Sequence, residues 1–120
     1  PDPAPAPHQG RQLLAQGHLS QSGVAGRPVY GTGVRIGNMA VLQGKWFNST
    51  GLTKPTSFIS SLPSALLPYE DITGSGIYKI KSSGAIETGL PKVTTSGNVF
   101  ESATSAELTE GSFSIVYRVK

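Results

Sequence analysis

The chain has 120 residues, a size that suits one domain, and its 15 Gly and 9 Pro discourage regular helix at every fifth position. Gly, Pro, Ser and Thr together fill 49 positions while only 14% of residues are charged, which excludes an all-helical protein whose surface helices would carry far more charge. Zero Cys excludes disulfides, Cys-built zinc sites and thiol nucleophiles, and the net charge of +3 comes from singly scattered Lys and Arg rather than a phosphate-tracking stripe, so nucleic acid is not an expected partner.

Residues Pro1 to Gly10 alternate Pro with Ala and Asp and read as an extended linker, leaving 11–120 as a β domain. This beginning has neither a basic end nor an apolar run, so it does not read as a signal peptide, and the missing initiator Met suggests a processed or excised piece. No stretch approaches the roughly 20 apolar residues that span a bilayer, so a soluble chain with no membrane insertion is expected. Gln12 to Ser20 suits a short helix or an opening strand, with Gly17 favouring strand. Gln21 to Thr32, with Gly23, Gly26, Pro28 and Gly31, reads as an irregular loop holding at most a brief edge segment at Val29 and Tyr30.

VRIGNMAVLQGKWF from Val34 to Phe47 is the clearest hairpin. Gly37-Asn38 suits a two-residue turn with positive φ at its first central position, and Gly44 signals a bulge or the close approach of a neighbouring segment. Lys54 to Tyr69 contains three Pro among Phe58, Ile59, Leu62, Leu66 and Leu67, a pattern for a packed crossover rather than a helix. Ile77–Lys81, a Ser82-Ser83-Gly84 turn and Ala85–Leu90 form a second expected hairpin. Gly97–Ala103 and Ser112–Val119 complete the set, the last with Phe113, Ile115, Tyr117 and Val119 on one face and a central place in its sheet expected from its length. The fold class is therefore all-β: a compact antiparallel β-barrel or β-sandwich head with short strands and Gly/Pro-rich loops.

Chemistry is sparse in this chain. His8 and His18 are the two histidines and seven residues are acidic, so neither a metal nor another cofactor is expected. Glu70 and Asp71 are adjacent acids, but neighbours on a strand point to opposite faces, and paired-carboxylate catalysis does not follow. No GxSxG elbow accompanies the many Ser, and GTGVRIG from Gly31 to Gly37 has the wrong third spacing for a dinucleotide fingerprint, leaving turn composition as its reading. Lys79, Lys81, Arg118 and Lys120 form at most a weakly basic, solvated strand face. Asn48-Ser49-Thr50 matches the N-glycosylation acceptor pattern and is assigned no role. No catalytic residue is expected, and the chain does not read as an enzyme.

Aromatic rings with short polar neighbours are the usual means of holding sugars, because the C–H face of a pyranose stacks on a ring. Tyr30, Trp46, Phe47, Tyr69 and Tyr78 are available rings; Trp46 and Phe47 are consecutive, so one faces the core and the other solvent or a subunit contact.

The ordered series VRIGNMAVLQGKW, SLPSALLPYEDI, IYKIKSSGAIET and closing SFSIVYRVK resembles the C-terminal head domains of phage tail fibres and receptor-binding proteins, over roughly Gly31 to Lys120. The resemblance implies a β head, homotrimeric at the tip of a fibre, tethered by its N-terminus and binding a saccharide of the bacterial cell surface. It implies a virion location at the tail tip and assembly in the bacterial cytoplasm, which suits a Cys-free chain. Binding loops vary within such heads, so no ligand residue carries over by motif. The residues selected for ligand contact are Trp46, Tyr69, Glu70 and Asp71, with Val34, Ile36, Val41, Ile80, Ile86, Phe113, Ile115 and Tyr117 as the core or trimer axis. Two other classes fit the same features: a structural trimerisation or particle-decoration module, and a carbohydrate-binding module of a secreted enzyme.

Overall fold

The computed structural model describes residues 29–120, so the linker, the segment Gln12–Ser20 and both histidines lie outside the described residues. The described chain is all-β, with strands β1 (Val29–Ile36), β2 (Met39–Leu52), β3 (Ile72–Thr73), β4 (Ser75–Ile80), β5 (Ile86–Gly89), β6 (Pro91–Val93), β7 (Val99–Glu101) and β8 (Leu108–Arg118). These form an antiparallel five-stranded sheet in the order β1-β2-β8-β4-β5 and an antiparallel three-stranded sheet in the order β3-β6-β7. β8 has the central place expected from its length, and β1 and β5 are the edges.

Both expected hairpins form. Gly37 supplies the positive φ of the first turn, 62°, while Asn38 keeps a negative one, the pattern of a type II′ connection that matches strand twist. Ile80 and Ala85 close the second around Gly84, whose N–H reaches the Ile80 carbonyl at 2.8 Å. β1 begins earlier than its glycines suggest, because Gly31 and Gly33 are strand residues. Gly31 sits directly opposite Gly44 in an unbroken register, which resolves Gly44 as a site of close approach rather than a bulge. A Cβ on Gly33 would come within 2.5 Å of Leu66 Cδ1, so this glycine is the space into which the crossover packs.

That crossover is the lid of the core. A single 3-10 turn, Ser64–Leu66, fits between Pro63 and Pro68, and the segment inserts Phe58, Ile59, Leu62 and Leu66 against the inner face of the five-stranded sheet. On that face lie Val29, Ala40, Leu42, Trp46, Tyr78, Phe113, Ile115 and Tyr117; Val93 and Val99 of the smaller sheet join the same cluster. The Phe58 ring is held between Trp46 and Phe113, with centroids at 5.2 and 5.3 Å.

The expected stripe divides in two. Phe113, Ile115 and Tyr117 are buried and Ile80 packs against the core, but Val34, Ile36 and Val41 are only half-buried and Ile86 is 66% exposed, all on the outer face. β2 is apolar at both parities, Met39, Val41 and Phe47 against Ala40, Leu42 and Trp46, so alternation alone does not choose. The crossover covers Ala40, Leu42 and Trp46, and Met39, Val41 and Phe47 are left on the outer face.

Tyr117 fastens the lid: its buried hydroxyl donates to the Leu66 carbonyl at 2.7 Å. Burial pushes the phenol up to about 12 from its ordinary value of 10.0. The folded state therefore keeps a proton that the unfolded chain releases, so this contribution is complete below pH 10 and is lost as pH rises to about 12. The expected decline is roughly 1.4 kcal/mol per pH unit across that window. Tyr78 adds to it, its phenol raised by burial and then by Glu87 and Glu101. Tyr117→Phe is expected to cost about 1–2 kcal/mol near neutrality and to flatten the alkaline decline, which urea unfolding at a series of pH values measures.

Candidate functional site

The outer face of the five-stranded sheet is set by register. Across β2, β8 and β4, Lys45 stands opposite Ser112 and Ser112 opposite Ile77; one step along, Phe47 stands opposite Glu110 and Glu110 opposite Lys79. β5 adds Ile86 opposite Lys79 and Thr88 opposite Ile77. Two adjacent rows thus bring cations, a carboxylate, a hydroxyl and apolar side chains onto one surface from four strands.

These rows enclose a groove of about 270 Å³ lined by Lys45, Ile77, Tyr78, Lys79, Ile86, Glu110, Gly111 and Ser112. Its floor is backbone at Gly111, whose missing side chain is required on the opposite face, where a Cβ would run into the Trp46 indole. Ile77 and Ile86, 48% and 66% exposed, supply its apolar walls. Phe47, 45% exposed, extends the apolar surface beside Glu110. Lys79 Nζ lies 3.6 Å from Glu110 Oε2, and Ser112 Oγ accepts the Ile77 N–H at 3.3 Å.

The four residues selected from sequence do not form one site. Trp46 is corrected to a core residue: it is 3% exposed and lies nearly parallel to Phe58, 14° between planes, so neither ring face can receive a sugar. Its neighbour Phe47 is the outward ring, as the alternation requires. Tyr69, Glu70 and Asp71 do lie together on the exposed turn after Pro68, which bridges to Val119. There the Arg118 guanidinium covers one face of the Tyr69 ring at 5.4 Å, and Asp71 Oδ1 accepts the Thr95 N–H at 2.9 Å while Oδ2 faces Lys92 Nζ at 3.9 Å. Arg118 is six residues from Ser112 along β8, so this turn lies about 20 Å from the groove.

The basic residues also separate. Lys79 pairs with Glu110, Lys81 Nζ donates to the Thr50 carbonyl at 3.0 Å, and Arg118 stacks on Tyr69. Asn48 is buried, 6% exposed, and its Oδ1 accepts from Thr50 N, Thr50 Oγ1 and Gly51 N, at 2.9, 2.7 and 3.2 Å. The Asn48-Ser49-Thr50 tripeptide is thus a turn built around a buried amide at the irregularity where β2 loses register with β8, and the folded chain does not present this Asn to a glycosylating enzyme.

No group of three or more His, Asp or Glu suited to a metal ion occurs among the described residues, and no helix among them is long and apolar enough to cross a membrane. No family model matches the chain, and no curated protein matches it.

Of the groove's components the sequence places Lys79 on a solvated strand face, whereas Ile86 is assigned to the core or trimer axis and Glu110 lies before the expected closing strand. What sequence lacked was the pairing of β8 with both β2 and β4, contacts between residues more than 30 positions apart.

Proposed function

We propose that this domain is a non-catalytic host-recognition module, an adhesin of a phage tail that binds a bacterial cell-surface saccharide as a homotrimer. The groove over Gly111 carries the proposal: its apolar walls suit the C–H face of a sugar ring, and Lys45, Lys79, Glu110 and Ser112 offer hydrogen bonds to hydroxyls. The ordered resemblance to fibre heads supports the tail-tip location, with assembly in the bacterial cytoplasm. Trimerisation turns weak single-site contacts into firm attachment through effective concentration.

The outer face also favours a role for subunit contact. Beyond the groove, Val34, Val41 and Val116 align in one register row and Ile36 and Met39 in the next, an apolar patch suited to a second copy of the chain. If that patch were the domain's whole purpose, the module would be a structural trimerisation or decoration piece.

Light scattering and glycan-array binding on the same preparation separate these readings. A mass near three times 12.5 kDa with saccharide hits lost in Ile77→Asp supports the adhesin. A trimer without hits supports the structural module, and a monomer with hits supports a carbohydrate-binding module of a secreted enzyme.

A further inference from the structure

The groove's charges do not cancel. Lys79 and Glu110 compensate one another at 3.6 Å, but Lys45, exposed on the other side of β8, has no ion pair or hydrogen bond with another described residue. Its register partner Ser112 uses its oxygen as an acceptor for Ile77 N–H, which leaves the hydroxyl proton free to donate outward. An uncompensated ammonium and a hydroxyl donor therefore stand together at the rim of a surface walled by Ile77 and Ile86.

Apolar walls exclude water from one side of a bound ring and strengthen any charge contact made beside it. A lysine is a point charge with three rotatable donors, so it can donate to an anionic oxygen that approaches from several directions. Glu110 and Lys79, paired on the adjacent row, offer no net charge to a second negative group. The complement of this arrangement is a ring with one apolar face and a single anionic substituent.

Resting on the saccharide reading of the groove, we propose that it selects a sugar bearing one anionic group, a phosphate or a carboxylate, held by Lys45 and Ser112.

Amide chemical shifts of the isotope-labelled domain test this with four probes: glucose, glucose 1-phosphate, glucuronic acid and inorganic phosphate. The anionic sugars are expected to shift the Ile77, Gly111 and Ser112 amides with an affinity roughly tenfold above that of glucose. Raising salt from about 0.02 M to about 0.5 M is expected to close most of that gap, since the Debye length falls from above 10 Å to below 5 Å. Lys45→Gln should close it at low salt, while Lys45→Arg and the distant Lys120→Gln should leave it open. Glucose 1-phosphate binding above glucuronic acid identifies phosphate as the group, and the reverse order identifies carboxylate. Glucose shifting the groove as strongly as the charged sugars overturns the charge selection and leaves the saccharide reading standing. Inorganic phosphate matching the anionic sugars overturns the saccharide reading and retains only an anion site. No groove shift with any probe overturns the proposal.

Discussion

Trp46→Ala is expected to destabilise the domain by about 3–5 kcal/mol, the cost of deleting a large ring from a core that cannot fully collapse around the space. Trp46 is 3% exposed, Phe58 stacks on it, and Phe58 in turn lies against Phe113. The deletion therefore loosens the lid as well as the sheet. For a domain of this size the melting temperature should fall by roughly 12 °C or more, since each kcal/mol moves it by about 4–8 °C. Trp46 is the single tryptophan, so the variant has lost the natural fluorescence probe and is followed by circular dichroism. Phe58→Ala keeps the probe and should show a loss of similar size with an early red shift of the Trp46 emission. A Trp46→Ala protein that melts normally and fails to bind saccharide would reverse the assignment and return the ring to the ligand.

Trp46 also marks where sequence reasoning reaches its limit. Alternation established that Trp46 and Phe47 face opposite ways, but which one faces inward depended on the crossover. Its Phe58 and Leu66 contact β2 and β1 only after a long chain reversal, and no local pattern records which strand face it covers. The hairpin turns were legible because Gly37 and Gly84 satisfy a backbone requirement within a few residues. β6 escaped notice because it opens with Pro91, and three residues are too few for a period; a proline is tolerated there as the first residue of a short strand. Gly31 and Gly33 looked like turn punctuation because their close contacts, with Gln43, Gly44 and Leu66, come from other segments.

The same logic explains the division between candidate sites. Tyr69, Glu70 and Asp71 were visible because they are contiguous, and the fold ties them down locally through Arg118, Thr95 and Lys92. The groove draws on β2, β4, β5 and β8, which become neighbours only through sheet order. A surface assembled from four strands is rigid and holds its side chains at fixed spacing, and that suits recognition by a domain with little charge to spend on flexible contacts.

Glu101→Ala is expected to cost about 2–4 kcal/mol, because one buried carboxylate oxygen closes two backbone groups at once. Glu101 Oε2 accepts the Leu90 N–H at 2.6 Å and the Ala103 N–H at 2.9 Å, and the residue is 6% exposed. These bonds fix the passage from β5 into β6 and the chain leaving β7, so the side chain joins the two sheets. Glu101→Gln retains an acceptor oxygen of the same shape and should cost about half as much, having lost only the charge assistance. Gly89 provides a second, independent reading of the same contact. A Cβ there would strike Glu101 Oε1 and approach Tyr78 Cδ2 at 3.0 Å, although Gly89 itself has no positive φ that would penalise alanine. Gly89→Ala alone should therefore cost about 1–3 kcal/mol through crowding. In the Glu101→Ala background most of that cost should disappear, because the clashing carboxylate is gone and only the Tyr78 contact remains. Urea unfolding of the four proteins in this double-mutant cycle measures the coupling. Additive costs would mean that Glu101 does not occupy the space beside Gly89, and the carboxylate would then have to reach its two amide partners from another direction.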